Sequence, residues 1–252
     1  MTKRYFIELS YLGTHYHGWQ IQPNAITVQE KLNEVLQMLF RTNIMVTGCG
    51  RTDTGVHAKQ FFAHIDLDTE SVSFPKEQLV YKLNSILPFD IAVHRIMEVE
   101  KNAHARFDAS SRTYEYYLGM NKNPFHKDLY YHSPYQNLNF DLMNEAAQIL
   151  FGYKDFECFS KSNTDVATFN CKIMKAEWVK KEEFWVFTIQ ADRFLRNMVR
   201  AIVGTLIEVG RGQMSLSELR KVIESKNRSN AGWSVPGKGL FLTRIEYPYI
   251  IQ

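Results

Sequence analysis

The order of strand-like and helix-like segments is the feature that most constrains this fold. Residues 4–11 are rich in β-forming side chains, whereas the apolar residues of 28–39 recur at the spacing of an amphipathic helix. The rest of the first half predicts strands at 45–49, 60–67 and 91–99, and a helix at 76–86. The first half therefore has the order strand, helix, strand, strand, helix, strand.

The second half repeats this order, with a second helix before its last strand. Its patterns predict strands at 113–118, 171–179, 184–191 and 240–247, and helices at 141–150, 194–209 and 215–225. Units of the βαββαβ type are ferredoxin-like, and two of them can join strand edges into one broad sheet. We predict an α+β fold of two such halves, residues 1–105 and 106–252, which share a mainly antiparallel sheet and leave an active-site cleft between them.

Two helix starts are marked by capping boxes. Thr27 is followed three residues later by Glu30, and Ser215 is followed in the same way by Glu218. In such a box the two side chains accept hydrogen bonds from free N–H groups of the first helical turn. We expect helices to begin at both places.

Composition excludes several classes of protein. The chain has 252 residues, 45% apolar and 23% charged, which excludes disordered and collagen-like chains. No apolar run approaches the roughly 18 residues of a membrane span, and the first residues lack a signal-peptide pattern, so we expect a cytoplasmic protein. The three cysteines have no C-x-x-C spacing, which favours reduced structural thiols over disulfides or a zinc site.

The net charge of +3 is distributed unevenly along the chain. Residues 1–105 carry 10 basic and 11 acidic side chains, whereas residues 106–252 carry 20 basic and 16 acidic ones. The basic excess therefore lies in the second half. We expect a polyanion such as RNA to bind there.

The most unusual segment is 48–58, Gly-Cys-Gly-Arg-Thr-Asp-Thr-Gly-Val-His-Ala, between two predicted strands. Three glycines within eight residues indicate a tightly turning backbone that other groups can approach closely. A loop that only turns seldom carries Arg51, Asp53 and His57 together. A hairpin turn stabilised by local bonds of Thr52 and Asp53 remains the alternative.

Arginines cluster around the predicted helix 194–209. One sector of it holds Arg193, Arg196, Asn197, Arg200 and Gly204, and the remaining positions are mostly apolar. A solvated helix edge usually mixes lysine with glutamate, but here no acid precedes Glu208. Three arginines without an acid indicate a nearby anion, either a carboxylate such as Asp53 or an RNA phosphate.

The strand at 113–118 carries several tyrosines, and alternation places Tyr114 and Tyr116 on one face. An aromatic residue on a strand usually belongs to the core. Arg106 and Arg112 precede these tyrosines, however, and an unstacked base can lie on such a face. Stacking of a base on an aromatic ring contributes about 1 to 3 kcal/mol.

Six motifs occur in order: Tyr11-x-Gly13-x-x-Tyr16-x-Gly18-Trp19-Gln20-x-Gln22, Gly50-Arg51-Thr52-Asp53-x-Gly55-Val56-His57-Ala58, Leu83-Asn84-x-x-Leu87-Pro88-x-Asp90-Ile91, Ala105-Arg106-Phe107 through Ser111-Arg112-x-Tyr114, Phe194-Leu195-x-x-Met198-Val199-Arg200, and Gly239-Leu240-Phe241-Leu242. Through these motifs the chain resembles the tRNA pseudouridine synthases of the TruA type over essentially its whole length. It departs at Thr54, where the family usually has Ala, at Gln60-Phe61, where Gly-Gln is common, and at Tyr153, where His is frequent. None of these is a catalytic position.

The resemblance implies an enzyme that isomerises uridine to pseudouridine at positions 38 to 40, in the anticodon arm of tRNA. It also implies a homodimer that needs no cofactor and no metal. By the same resemblance, Asp53 is the catalytic aspartate, and Arg200 is the basic residue paired with it across the two halves. Tyr114 stacks on the target uracil and assists proton removal from C5. Arg51 helps to hold the nucleotide out of the stack, and Leu240 packs against the target base.

The residues agree with this chemistry. A carboxylate can attack or deprotonate a sugar carbon, as carboxylates do in glycoside hydrolysis. A glycosidase normally uses two carboxylates, whereas the glycine loop offers Asp53 alone, which suits a reaction that retains the leaving uracil. The sequence leaves open whether Asp53 forms an adduct at C1′ or first removes a proton from C2′.

The target base has to be extruded from the RNA stack, which costs a few kcal/mol. Contacts to RNA offset this cost, and we expect them from Tyr116, Arg112, Arg193 and Arg196, in addition to Arg51 and Leu240. Further candidates for phosphate contacts are Lys172, Lys175, Arg211, Arg220 and Arg228. For each of them, the alternative is a solvated surface charge that binds no RNA.

Two other functions are compatible with parts of the sequence. The first is a non-catalytic RNA-binding module, because βαββαβ is also the topology of RNA-recognition domains. The signature of those domains is absent, and such a module has no need of the 50–58 loop. The second is a metal-dependent enzyme using His15, His17, His57, His64 and Asp53, but these residues form no established ligand motif.

Overall fold

The computed structural model describes residues 2–68, 75–162, 164 and 166–250. Within these ranges, nine strands and five α-helices form a mixed fold with a large, mostly antiparallel open sheet. The α+β class predicted from the sequence is therefore confirmed. The chain divides into two compact units, one formed by Met1–Ser110 with Leu242–Gln252 and the other by Ser111–Phe241.

The first unit follows the predicted order of elements. Strand β1 is antiparallel both to β3 and to β4, and the two-residue β2 is antiparallel to β3. The bounds of the elements are β1 (Thr2–Tyr11), α1 (Val28–Phe40), β2 (Thr47–Gly48), β3 (His57–Asp68), α2 (Lys76–Ile86) and β4 (Ile91–Val99).

Helix α1 begins at the predicted capping box. The Thr27 hydroxyl accepts a hydrogen bond from the Glu30 N–H, and the Thr27 N–H donates to the Glu30 carboxylate, at 3.3 and 3.4 Å. Val28, Leu32 and Leu36 are fully buried because the helical period places them on one face. The second expected box, at Ser215, opens helix α5 (Leu216–Glu224) in the same way.

The second unit contains the predicted elements and one short strand that was not predicted, β6 (Tyr131–His132). Strand β8 is antiparallel to both β5 and β7, and β6 is parallel to the end of β5. The bounds of its other elements are β5 (Ser111–Gly119), α3 (Phe140–Ile149), β7 (Ile173–Lys181), β8 (Phe184–Ala191) and α4 (Met198–Gly210). Helix α5 follows α4. The last strand, β9 (Leu240–Glu246), begins in this unit and ends in the first.

The observed units differ from the predicted halves of 1–105 and 106–252. The boundary follows Ser110, and the C-terminal segment Leu242–Gln252 belongs to the first unit. The Ser110 N–H donates to the Glu246 carbonyl oxygen at 2.8 Å, and the Tyr247 hydroxyl donates to the Ala105 carbonyl oxygen at 2.5 Å. These bonds attach the C-terminal segment to the end of the first unit.

The three cysteines, Cys49, Cys158 and Cys171, are all buried. Burial raises the pKa of the Cys158 and Cys171 thiols to about 12, so both are protonated at neutral pH. None of the helices that the structure describes is both long and apolar enough to cross a membrane.

Candidate active site

Asp53 lies in the loop 49–56, between strands β2 and β3. Arg51 is exposed and Asp53 is half-buried, whereas Thr52 between them is 8% exposed. The Val56 N–H donates to the Asp53 carbonyl oxygen at 3.1 Å and closes a tight turn. The main chain is therefore fixed around Asp53, while its side chain is not fully covered.

The segment 12–19, which follows β1, contacts this loop through its main chain. The Trp19 N–H donates to the Thr52 carbonyl oxygen, and the Gly55 N–H donates to the Tyr16 carbonyl oxygen, both at 3.3 Å. The sequence showed both segments as motifs, but it gave no signal that they touch. Contacts between segments far apart in the chain leave no local pattern.

Two glycines of that segment permit the close approach. A Cβ atom on Gly18 would lie 2.2 Å from the Thr52 carbonyl oxygen, and one on Gly13 would lie 2.0 Å from the Val56 carbonyl oxygen. Gly18 also has a φ of +88°, which L side chains rarely adopt. Both positions therefore require glycine, because their main chain lies directly against the residues before and after Asp53.

Two of the four histidines considered as metal ligands, His57 and His64, have structural hydrogen-bond partners. His57 Nδ1 accepts a hydrogen bond from the Gly13 N–H at 2.9 Å, and His64 Nδ1 accepts one from the Ala105 N–H at 3.2 Å. Among the residues that the structure describes, no group of three or more His, Cys, Asp or Glu side chains is arranged to hold a metal ion. The two ring nitrogens act as acceptors for main-chain donors.

The predicted site residues are divided between the two units. Asp53 and Arg51 belong to the first unit. The other seven belong to the second unit: Tyr114, Tyr116, Arg112, Arg193, Arg196, Arg200 and Leu240.

Tyr114 lies on β5, opposite Ile189 of β8. Its half-buried ring meets the ring of Phe194 edge to face, with centroids 5.2 Å apart and planes at 89°. This geometry is a favourable one for aromatic pairs, and it orients the tyrosine ring. A ring that is oriented and only partly covered can take a further stacking partner.

Arg200 lies in the first turn of α4, and a neighbouring chain segment holds it. Its Nε donates to the Val235 carbonyl oxygen at 2.6 Å, and the Val235 N–H donates to the Arg200 carbonyl oxygen at 3.2 Å. Asn197, just before the helix, donates from Nδ2 to the Ser234 hydroxyl at 2.6 Å. The segment 232–235 thus runs along this side of α4 and directs the guanidinium group.

The predicted arginine stripe is wrong in its geometry. Helix α4 begins at Met198 rather than at residue 194, because Asn197 has a φ of 68°, in the left-handed region. Arg193 and Arg196 therefore precede the helix and do not share a helical face with Arg200. The apolar pattern continued through residues 194–197, which is why the sequence predicted a longer helix.

Arg112 and Arg193 lie around Asp192. Arg112 donates from Nη1 to the Asp192 carbonyl oxygen, and the Arg193 main-chain N–H donates to Asp192 Oδ1, both at 2.7 Å. Arg196 is exposed, and its carbonyl oxygen accepts from the Lys161 N–H at 3.0 Å. Of these three arginines, Arg196 has the most exposed side chain.

The burial of Tyr116 contradicts its expected role as an RNA contact. It is fully buried, its hydroxyl donates to the Pro236 carbonyl oxygen at 3.1 Å, and Gly239 packs against its ring. A ring covered in this way offers no face to a base. Leu240 at the start of β9 is also buried, at 5% exposure.

Three of the further basic residues already have partners in the second unit. Lys175 pairs with Glu177 at 2.8 Å, and Arg211 pairs with Glu208 at 2.9 Å. Arg228 donates to the Gly232 carbonyl oxygen and to the Ser234 hydroxyl, at 3.0 and 2.8 Å. These contacts favour structural roles over phosphate binding for Arg211 and Arg228, whereas the ion pair of Lys175 is exposed and holds that side chain only weakly.

Comparison with known proteins gives one consistent family. The sequence model of the family described as "tRNA pseudouridine synthase" matches residues 146–248. A tRNA pseudouridine synthase A of Bacteroides fragilis is 55% identical over 98% of this chain and 97% of its own length. The protein of that name from Parabacteroides distasonis is 53% identical over 98% of this chain and 96% of its own length.

A more distant relative agrees. A tRNA pseudouridine synthase A from a Staphylococcus aureus strain of bovine origin is 35% identical over 96% of this chain and 90% of its own length. The similarity therefore extends over both units and includes the loop of Asp53. The chain belongs to the tRNA pseudouridine synthase A family.

Proposed function

We propose that this protein isomerises uridine to pseudouridine in tRNA, with Asp53 as the catalytic carboxylate. The observation that carries the proposal is the 55% identity to a tRNA pseudouridine synthase A over nearly the whole of both chains. The structure supports it with a loop in which the main chain around Asp53 is held and the side chain is half-buried.

The reaction rearranges one nucleotide without losing any part of it. The bond between C1′ and N1 of uracil breaks, the uracil turns, and C5 forms a new bond to C1′. The C5 proton then leaves and N1 takes up a proton, so the product has the same composition as the substrate. Asp53 acts either by an adduct at C1′ or by removing the C2′ proton, and both routes need one carboxylate.

Arg200 and Tyr114 complete the proposed chemistry. Arg200 would supply a positive charge that pairs with the Asp53 carboxylate. Tyr114 would stack on the uracil and assist removal of the proton from C5. The contacts of Arg200 with Val235, and of Tyr114 with Phe194, hold both side chains in defined orientations before substrate binds.

The RNA has to present its uridine outside the base stack. We assign Arg51, whose side chain is exposed, to holding the flipped nucleotide. Leu240, which is 5% exposed at the start of β9, keeps the place beside the target base that the family resemblance gives it. Arg112, Arg193 and Arg196 would contact phosphates near the site. Tyr116 is omitted because its ring is buried.

The proposal extends to the target positions, the oligomeric state and the cellular location. We propose uridines 38 to 40 of the anticodon arm as targets, a homodimer that binds one tRNA across both subunits, and a cytoplasmic location. A homodimer fits a chain whose net charge is only +3, since two subunits together present more basic surface to a large polyanion.

Release of a C5 label from uridine tests the proposal. Unmodified tRNA carrying tritium at uracil C5 is incubated with the wild type and with Asp53→Asn, which keeps the size of the side chain but removes its charge. We expect release of label by the wild type and none by the variant. Tight RNA binding without release by either protein would support the RNA-binding module instead.

A further inference from the structure

Tyr11, the last residue of β1, has its ring fixed inside the first unit. It is 4% exposed, and its ring centroid lies 6.3 Å from that of Trp19 and 5.6 Å from that of Phe61. Trp19 and Phe61 are themselves stacked, with centroids 4.1 Å apart. An aromatic ring packed on two sides leaves its hydroxyl little freedom to move.

That hydroxyl contacts the residue before Asp53. The Tyr11 and Thr52 hydroxyl groups are hydrogen-bonded at 2.9 Å, and both residues are buried. The Trp19 N–H holds the Thr52 carbonyl oxygen at the same time. Thr52 is therefore fixed through its side chain and through its main chain.

Asp53 is also fixed on its other side. The Val56 N–H donates to the Asp53 carbonyl oxygen, and the Gly55 N–H is held by the Tyr16 carbonyl oxygen. Main-chain bonds account for the fixation after Asp53. Before Asp53, the Tyr11–Thr52 hydrogen bond joins two side chains, so substitutions can remove it without changing the backbone.

We propose that Tyr11 is a positioning residue, which acts through Thr52 to hold the Asp53 carboxylate where it meets the ribose. This inference rests on the proposed function of Asp53. An error of about 1 Å in the position of a reacting group can cost on the order of 100-fold in rate. Loss of the hydrogen bond should therefore lower turnover more than it lowers affinity for tRNA.

A purely structural role for Tyr11 makes a different prediction. Removing a buried, hydrogen-bonded hydroxyl lowers the stability of the protein wherever that hydroxyl lies. Tyr247 provides a matched control in the same unit, because it is 5% exposed and its hydroxyl donates to the Ala105 carbonyl oxygen. Tyr247→Phe should destabilise the protein like Tyr11→Phe but leave turnover unchanged.

The experiment compares Tyr11→Phe, Thr52→Val, Thr52→Ser and Tyr247→Phe in the C5-label assay, with thermal unfolding of each. We expect Tyr11→Phe and Thr52→Val to lower kcat by about 10- to 100-fold with KM changed less than about twofold. Thr52→Ser keeps the hydroxyl and should stay near the wild type. The double variant Tyr11→Phe/Thr52→Val should lose no more than either single variant, because both remove one interaction.

Amide hydrogen exchange measures how firmly the loop is held, independently of the activity assay. Tyr11→Phe should speed exchange of the Trp19 amide, which donates to the Thr52 carbonyl oxygen, and Tyr247→Phe should not. Wild-type kcat in Tyr11→Phe, equal loss in Thr52→Ser and Thr52→Val, or unchanged amide exchange would each overturn the positioning role. Failure of the wild type to release label would instead overturn the function proposed for Asp53, so the two failures are distinguishable.

Discussion

Thr52 shows how neighbouring residues of the loop 49–56 take different places in the structure. It is buried, while Arg51 before it is exposed and Asp53 after it is half-buried. The anchoring falls to one side chain, and the side chains of its two neighbours are not fully covered. The motif identified these residues from sequence, but the bond from Thr52 to Tyr11 joins positions 41 residues apart and leaves no local pattern.

At the residue scale, His64 gives the first unit a pH-dependent stability. It is 7% exposed on β3. Burial is the largest cause that lowers its pKa, to about 4, followed by the charge of Arg4 and by His104, while Asp66 and Asp108 act in the opposite direction. Because the folded-state pKa lies below the ordinary value of 6.5, the unfolded chain binds more protons between these values. The free energy of unfolding therefore falls as the pH drops from about 6.5 to 4.

His64→Asn tests this expectation, because an amide oxygen can accept from the Ala105 N–H but does not titrate. Urea unfolding from pH 8 to pH 4 should show the wild-type loss reduced by about 1 to 3 kcal/mol in the variant. The pKa of His104 is also lowered by burial, so the free energy of unfolding of the variant still depends on pH to a smaller extent. Below about pH 4, protonation of Asp66 and Asp108 destabilises both proteins, since the pKa of each carboxyl is lowered in the folded state. Equal losses between pH 6.5 and 4 would contradict the account.

At the element scale, the predictions succeeded where a local signal marks a boundary. Helix α2 spans Lys76–Ile86 as predicted, directly after Pro75, and α1 and α5 begin at their capping boxes. Strand β6 was missed because a two-residue strand has no period to detect. Helix α4 was predicted too long because the apolar pattern extends back to Phe194 and Leu195, whereas the helix starts only after the turn at Asn197.

The side of α4 assigned to a stripe of arginines is instead the place where the segment 232–235 packs. A Cβ atom on Gly204 would lie 1.8 Å from the Trp233 carbonyl oxygen, and the Thr205 hydroxyl accepts from the Gly232 N–H at 2.9 Å. The same segment carries Val235, which holds Arg200. One contact, between the segment 232–235 and α4, therefore both packs against Gly204 and orients Arg200.

Gly204→Ala should separate these elements. We expect a loss of about 1 to 3 kcal/mol in the free energy of unfolding, because the segment has to move away from the new methyl group. Turnover in the C5-label assay should fall as well, because Val235 moves with the segment. Gly152→Ala is the control, since no atom lies within 4 Å of the added Cβ. Full turnover in a destabilised Gly204→Ala protein would show that Arg200 does not depend on this contact.

At the scale of the whole molecule, the order of elements was predictable but the membership of the units was not. Two βαββαβ patterns are visible in the sequence, and the structure has both, the second with the short strand β6 and the helix α5 in addition. The return of Leu242–Gln252 to the first unit depends on bonds such as that of Tyr247 to Ala105, between residues far apart in the chain. For the same reason, the sequence did not reveal that Tyr116 is covered by residues near Pro236.

The salt dependence of tRNA binding tests which basic residues meet phosphate. Arg196 has an exposed side chain, whereas Arg211 is paired with Glu208 and its guanidinium lies 3.9 Å from the centre of the Tyr135 ring. Arg196→Ala should weaken binding and reduce the slope of log affinity against log salt by about 1. Arg211→Ala should leave the slope unchanged. Equal slopes for Arg196→Ala and the wild type would remove Arg196 from the RNA surface.

The central claim is that this chain makes pseudouridine in the anticodon arm of tRNA and that Asp53 does the chemistry. Single-nucleotide mapping of pseudouridine, after unmodified tRNA has been treated with purified protein, tests it most directly. The account predicts new pseudouridine at positions 38 to 40 with the wild type and none with Asp53→Asn, although both proteins bind the tRNA. Unmodified uridine at these positions after treatment with the wild type, or pseudouridine formed by Asp53→Asn, would contradict it.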